Sequence, residues 1–212
     1  MYKKLSAGLL PLLALAAFAV APSVAAAAPH WFSDGVKLPE NGEKVAVTTS
    51  SRSAKLKLKD NELGKEVEGT VTDEGFIWNP AGGGAGEDEI TSFVTAKNVG
   101  NICAAKEVTE VVATNLPWKT VLLTGPPIRD EVKGVEVDIL CNGTPVAVYE
   151  GTLTPKFVNS AVAKCKGAND SFAEFEEAAS GGFLTSNFGT KGKISGLDYL
   201  QGPAKDTCIT AE

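Results

Sequence analysis

Hydrophobic and polar residues alternate one for one along much of this chain. The segment from Ala54 to Lys59 reads A-K-L-K-L-K, with Leu56 and Leu58 on one face and three lysines on the other. A period of two is that of a β-strand with one buried face, because successive side chains project to opposite sides of a pleated backbone. The same period places Val45 and Val47 on a buried face, and likewise Val67, Gly69 and Val71. It sets Val135, Val137 and Ile139 against Glu136 and Asp138, and it pairs Val146 with Val148. Strands that bury one face and wet the other belong to antiparallel sheets.

Turn-forming residues punctuate these runs at Asn41-Gly42, Asp73-Glu74-Gly75, Gly125-Pro126-Pro127, Asn142-Gly143, Gly181-Gly182 and Gly202-Pro203. Asn142-Gly143 between two alternating strands is a strong hairpin signal, since both residues tolerate the positive φ of a tight turn. It predicts that Val135–Cys141 pairs antiparallel with Pro145–Leu153, and a strand over Phe157–Cys165 would extend the pair into a meander. Many short strands with turns at this spacing predict an all-β, mainly antiparallel fold, a β-sandwich or barrel-like domain. One short segment, 171–179, also fits a helix: Ser171 and Glu174 match a capping box, and Phe172, Phe175 and Ala179 fall on one helical face. A charged edge strand fits it equally well. Pro80–Gly86 is a candidate loop.

The first residues break the pattern. Lys3 and Lys4 precede a mostly apolar run from Leu5 to Val20, and small residues follow, ending in Ala25 to Ala28. A basic flank, an apolar centre and an Ala-x-Ala ending make a secretory signal peptide, residues 1–27, with cleavage after Ala27. The apolar run contains Pro11 and falls short of the roughly 20 residues that span a bilayer, so no integral membrane segment is expected after cleavage. Residues 28–212 are then a single mature domain, long enough to enclose a core. Loss of Lys3 and Lys4 takes the formal net charge from −6 to −8, which disfavours nucleic acid and anionic membranes as partners.

Export carries all four cysteines, Cys103, Cys141, Cys165 and Cys208, into an oxidising compartment, where an even number implies two disulfides. A four-thiolate zinc site would call for close C-x-x-C pairs, and none is present. In a meander the strands bearing Cys141 and Cys165 would flank a third and stand about 9.5 Å apart, too far for a bridge. Two pairings remain: Cys103–Cys141 with Cys165–Cys208, or Cys103–Cys165 with Cys141–Cys208. The first ties each segment to the nearest downstream cysteine that the geometry allows, and is preferred.

Catalytic chemistry finds little purchase. The single histidine, His30, lies next to the mature N-terminus, where chain ends are usually mobile, and nucleophilic mechanisms need a rigidly held imidazole. Gly82–Gly86 resembles a phosphate-cradling loop, but Glu87, Asp88 and Glu89 follow where a phosphate loop needs lysine and hydroxyl groups. A flexible connection is the simpler reading; a hard-cation site is the sharper one, though its spacing is not that of an EF-hand. No metal ligand or cofactor is assigned. Paired carboxylates run glycoside hydrolysis without histidine, and Glu107, Glu110, Asp130, Glu131, Glu136 and Asp138 are available, yet no linear motif selects two of them. Trp31, Trp78 and Trp118 could stack on sugar rings or fill the core.

Several segments together resemble a group of exported bacterial β-rich proteins of unknown function: His30–Gly35, Asn79 to Phe93, Leu116–Thr120, Ile128–Glu131, Gly151–Pro155 and Gly202-Pro203. The resemblance implies export and a complete single-family domain, and transfers no catalytic residue. Members often carry a cysteine in the strand matching Gly64–Thr72, which has none here, so crosslinks do not carry over. Together these features point to a secreted or cell-envelope protein of unknown activity, a non-catalytic binding or structural domain whose partner is unassigned, an envelope or extracellular glycan or protein being the candidates. The rival is a carbohydrate-active protein, either a Ca²⁺-assisted lectin-like module or a two-carboxylate hydrolase.

Overall fold

A computed structural model of the chain describes residues 27–161, 165, 170–204 and 207–212. The expected signal peptide lies, apart from Ala27, outside the described residues. The alternating runs become strands and pair antiparallel throughout. Strands β1 (Trp31–Ser33), β2 (Val36–Lys37) and β15 (Ile209–Ala211) form a small three-stranded sheet that joins the first and last of the described strands. The other twelve build one large sheet: β3 (Val45–Ser50), β4 (Leu56–Asp60), β5 (Lys65–Trp78), β6 (Glu87–Gly100), β7 (Thr109–Thr114), β8 (Trp118–Leu123), β9 (Arg129–Cys141), β10 (Thr144–Leu153), β11 (Lys156–Val158), β12 (Phe172–Phe175), β13 (Gly182–Ser186) and β14 (Lys191–Gln201).

The large sheet closes on itself once through ladders all the way round, and a second time with one seam that carries no ladder. One ring runs β3, β5, β6, β8, β9, β11, β12, β14 and returns to β3 through Tyr199 opposite Ser50 and Leu200 opposite Thr49. A second ring runs β4, β5, β6, β7, β9, β10, β13, β14 and returns to β4 through Ile194 opposite Leu58. Its seam between β6 and β7 is bridged by Thr95, whose Oγ1 donates to the Val111 carbonyl at 3.0 Å. Strands β5, β6, β9 and β14 are long enough to serve both rings. Lys65–Gly69 of β5 pairs with β4, for example, and Thr72–Ile77 pairs with β3. Closure satisfies backbone donors and acceptors that an open sheet would leave at its edges. The architecture is thus all-β, antiparallel and barrel-like.

Each ring encloses its own core. Trp31, Val47, Ile77, Leu122, Phe157, Leu200 and Ile209 pack at the first, and Leu58, Val67, Val135, Val137, Ile139, Tyr149 and Leu184 inside the second. Each fully buried side chain of this size contributes about 1.5–3 kcal/mol. The β9–β10 hairpin turns at Asn142 and Gly143, with φ of 50° and 76°, as a two-residue turn of this hand requires.

Five expectations are corrected. Asp73-Glu74-Gly75 is not a turn but continues β5, where Asp73 keeps the inward phase of Val67, Gly69 and Val71. Val146 and Val148 do not form the buried face of β10. A bulge between Pro145 and Ala147 shifts the phase, so Ala147 and Tyr149 point inward. There is no three-stranded meander, because β11 leaves β10 to pair with β12 and with Arg129 at the far end of β9. Among the described residues of 171–179 there is no α-helix: Phe172–Phe175 is a strand held between β11 and β14, and the Ser171 hydroxyl accepts from Ser160 N instead of capping. Ladder bonds on both sides outweigh a weak local helical preference, and only a 3₁₀ turn, Ala179–Gly181, follows. His30 is not on a mobile end; it exchanges backbone hydrogen bonds with Glu212 at 2.7 and 3.0 Å.

Candidate functional site

The cysteines form Cys103–Cys141 and Cys165–Cys208, with Cα separations of 5.5 and 5.3 Å, the preferred pairing. Cys141–Cys165 is absent, though no meander separates the two: Cys141 ends β9, whereas Cys165 lies outside the strands. With all four sulfurs bonded to one another, the thiolate zinc alternative has no ligands left.

The tryptophans do not share a surface. Trp31 packs edge-on to Phe157 in the first core, with ring centroids 5.2 Å apart, and Trp118 packs on Phe93 at 5.3 Å in the second. Trp78 is half-buried, donates Nε1–H to Glu87 Oε2 at 3.1 Å, and carries the Lys44 ammonium 4.8 Å from its ring centre. The three acids after the glycine loop separate likewise. Glu87 holds Trp78, Glu89 is buried between Lys44 and Lys119, and Asp88 turns inward. Gly82–Gly86 is the connection between β5 and β6. Of the other acids considered, Glu107 and Glu110 are exposed, Glu131 pairs with Lys133 at 2.7 Å, and Glu136 and Asp138 are half-buried.

Asp130 is the exception. It stands beside Asp88 in the wall of an interior cavity of about 80 Å³ in the first ring, and a second pair, Asp73 and Asp198, lines the same cavity. The Thr49 hydroxyl lies 3.1 Å from Asp73 Oδ2 and 2.7 Å from Asp198 Oδ2. Thr120 stands beside Asp88 and Asp130, but its hydroxyl makes no well-aligned hydrogen bond. One carboxyl oxygen of each of the four aspartates is buried without a partner among the described residues: Asp73 Oδ1, Asp88 Oδ2, Asp130 Oδ1 and Asp198 Oδ1. Burial, first, and the neighbouring acid, second, hold Asp73 and Asp88 well above the usual carboxyl range. Burial also raises Asp130 and Asp198 to about 6. The sequence signal for this cluster was available in part: Asp73 interrupts an inward apolar phase, yet beside Glu74-Gly75 it reads as a turn.

The carboxyls of each pair are neighbours in the cavity wall, with no open cleft between them for a glycosidic bond. The cavity has room for a few waters and not for a sugar. Open concave space lies elsewhere, at the end of the second ring. There Leu63, Ile102, Val146 and Phe188 rim a depression of about 290 Å³ whose floor is Ala147 and Tyr149. Phe188 is 60 % exposed, and Lys65 is the charged residue at the edge, its ammonium donating to the Asn101 carbonyl at 2.9 Å. The Tyr149 hydroxyl is turned away, bonded to buried Asp60 at 3.2 Å.

No family model, curated protein or solved structure matches this chain. Its class rests on its own geometry: an antiparallel, doubly closed β protein with two disulfides. Among the described residues, no helix is long and apolar enough to cross a membrane. Two disulfides are compatible with an oxidising environment.

Proposed function

We propose that this chain is a secreted or cell-envelope binding domain without catalytic activity, which seats an apolar side chain of a protein partner in the mouth of its second ring. The observation that carries this reading is the depression formed by Leu63, Ile102, Val146 and Phe188. Mouths of β-barrels are recurrent binding sites, and this one is near the lower size limit for them. Three of its rim residues are large, apolar and exposed, at 38 to 60 %. A protein side chain suits it better than a sugar, because sugar hydroxyls need converging polar groups. Here the Lys65 ammonium and the Tyr149 hydroxyl are already engaged. Export is supported by the N-terminal basic and apolar segments and by the crosslinked cysteines; the segments resembling exported bacterial proteins agree with it.

An NMR titration with N-acetyltryptophanamide, a probe for an aromatic side chain, tests the reading, with a panel of pyranosides run in parallel. Shifts are expected to centre on Leu63, Ile102, Val146 and Phe188. Phe188→Ala should weaken the probe roughly tenfold or more and leave the melting temperature in place. Binding of pyranosides in preference to the aromatic probe would transfer support to the carbohydrate-active rival, and shifts centred elsewhere would remove the mouth from consideration.

A further inference from the structure

The two acid pairs of the first ring are built to one pattern. Thr49 lies directly opposite Asp73 in the β3–β5 ladder and opposite Leu200 in the β3–β14 ladder, two residues beyond Asp198. Thr120 lies directly opposite Asp88 in the β6–β8 ladder and opposite Val132 in the β8–β9 ladder, two residues beyond Asp130. Following the ring through β14, β3, β5, β6, β8 and β9, the order is acid, hydroxyl, acid, acid, hydroxyl, acid. We propose that Asp73 with Asp198, and Asp88 with Asp130, are proton-sharing carboxyl pairs that make the first ring an acid-stabilised, pH-sensitive element of the fold.

A threonine hydroxyl has one proton to donate, and Thr49 has a carboxyl oxygen on each side. If both contacts are hydrogen bonds, one of the two acids must supply its own proton. Charge accounting agrees. Among the described residues, the charged ones lining the cavity are Asp73, Glu74, Asp88, Glu89, Asp130 and Asp198, with no lysine or arginine. Lys44 and Lys119 hold Glu89 from outside, Lys133 holds Glu131, and Arg129 is engaged by Glu176 and by the Thr154 and Ser180 carbonyls. A metal ion is the other possible counter-charge. Among the described residues, however, the one place where three potential ligand side chains converge is Cys103, Glu107 and Cys141, whose sulfurs are in a disulfide. The four aspartates gather in twos, and what neutralises an enclosed pair of carboxyls is a shared proton.

The direction of the pH effect follows. These carboxyls hold protons in the folded protein above the ordinary value of 3.8 and lose them on unfolding. Their contribution is therefore fully present below about pH 4 and declines as pH rises toward and past 6, where Asp130 and Asp198 titrate. For each proton held by the folded state alone, the folding constant falls about tenfold per pH unit, so one proton per pair gives a slope of about 100-fold per unit. Paired surface carboxylates such as Glu40 and Glu68, lowered by their lysines, contribute in the opposite sense, so the comparison must be with a variant.

The experiment measures urea unfolding of the mature protein from pH 4.5 to 8.5 in wild type and in Asp73→Asn/Asp88→Asn, which keeps hydrogen-bond donors but cannot titrate. The variant should lose the extra slope above pH 6, where Asp130 and Asp198 have titrated and each pair holds one proton. Infrared spectroscopy of the wild type at neutral pH gives a readout that does not depend on the double variant folding. A protonated carboxylic C=O band is expected, and each single variant, Asp73→Asn or Asp88→Asn, should remove part of it. Absence of that band, or a slope the substitutions leave intact, would overturn the proposal. So would a melting temperature at pH 8 that rises in millimolar Ca²⁺ and falls again with chelator, since the counter-charge would then be a metal.

Discussion

Asn79→Ala tests how the N-terminal strand is fastened. Asn79 is fully buried at the end of β5, and its side chain makes three hydrogen bonds. Oδ1 accepts from Trp31 N at 2.8 Å, and Nδ2 donates to the carbonyls of Trp31 at 3.1 Å and Leu38 at 2.8 Å. Alanine removes all three. The Trp31 carbonyl keeps its bond from Leu38 N, but Trp31 N and the Leu38 carbonyl lose their bonds to the side chain. Lost bonds contribute about 1 kcal/mol each and buried orphans about 1–3 kcal/mol, so a destabilisation of about 3 kcal/mol is expected. For a domain of this size that is a fall of roughly 6–12 °C in melting temperature. The control is Asn101→Ala. Asn101 bonds Glu66 N and the Gly64 carbonyl at 2.8 and 3.0 Å, but in exposed positions where water can replace it. Its loss should cost less than about 1 kcal/mol. Urea unfolding of both variants, with amide exchange at Trp31 and Leu38, makes the comparison. Equal losses for the two asparagines would refute the argument that burial sets the magnitude.

Two further predictions rest on other parts of the fold. Replacing either cystine by a pair of alanines releases a constraint of 38 or 43 residues of sequence separation, so the two variants should lose nearly the same stability, about 4 kcal/mol each in the chain-entropy model, by denaturant midpoint; a difference larger than about 2 kcal/mol would count against that model here. Gly75→Ala places a Cβ 2.0 Å from the Glu89 carbonyl oxygen at the β5–β6 bulge, and should destabilise by about 1–3 kcal/mol or more, whereas Gly42→Ala meets no atom within 4 Å and should show only the strain of its positive φ in the same assay.

Much of the fold was legible in the sequence because alternation is a local property. Leu56 and Leu58, Val67 to Val71 and Val135 to Ile139 each report a half-buried strand without knowledge of any partner. Asn142-Gly143 likewise reports its hairpin from backbone preference alone. The disulfides were legible as two bridges from the even count of cysteines, but the geometric ground for choosing among the pairings, a meander, does not exist. What only the tertiary structure decided is where neighbours outvote local signals. Ladder bonds on both sides make Phe172–Phe175 a strand despite a capping pattern. A bulge turns Tyr149 inward where the flanking valines pointed, and β5 runs straight through a sequence that reads as a turn. The acid pairs belong to the same class. Asp73 and Asp198, or Asp88 and Asp130, lie 125 or 42 residues apart in the chain, and each alone is an ordinary surface carboxylate. They become paired and enclosed only when the strands close into a ring, since desolvation and proximity are properties of the closed sheet and of no segment within it.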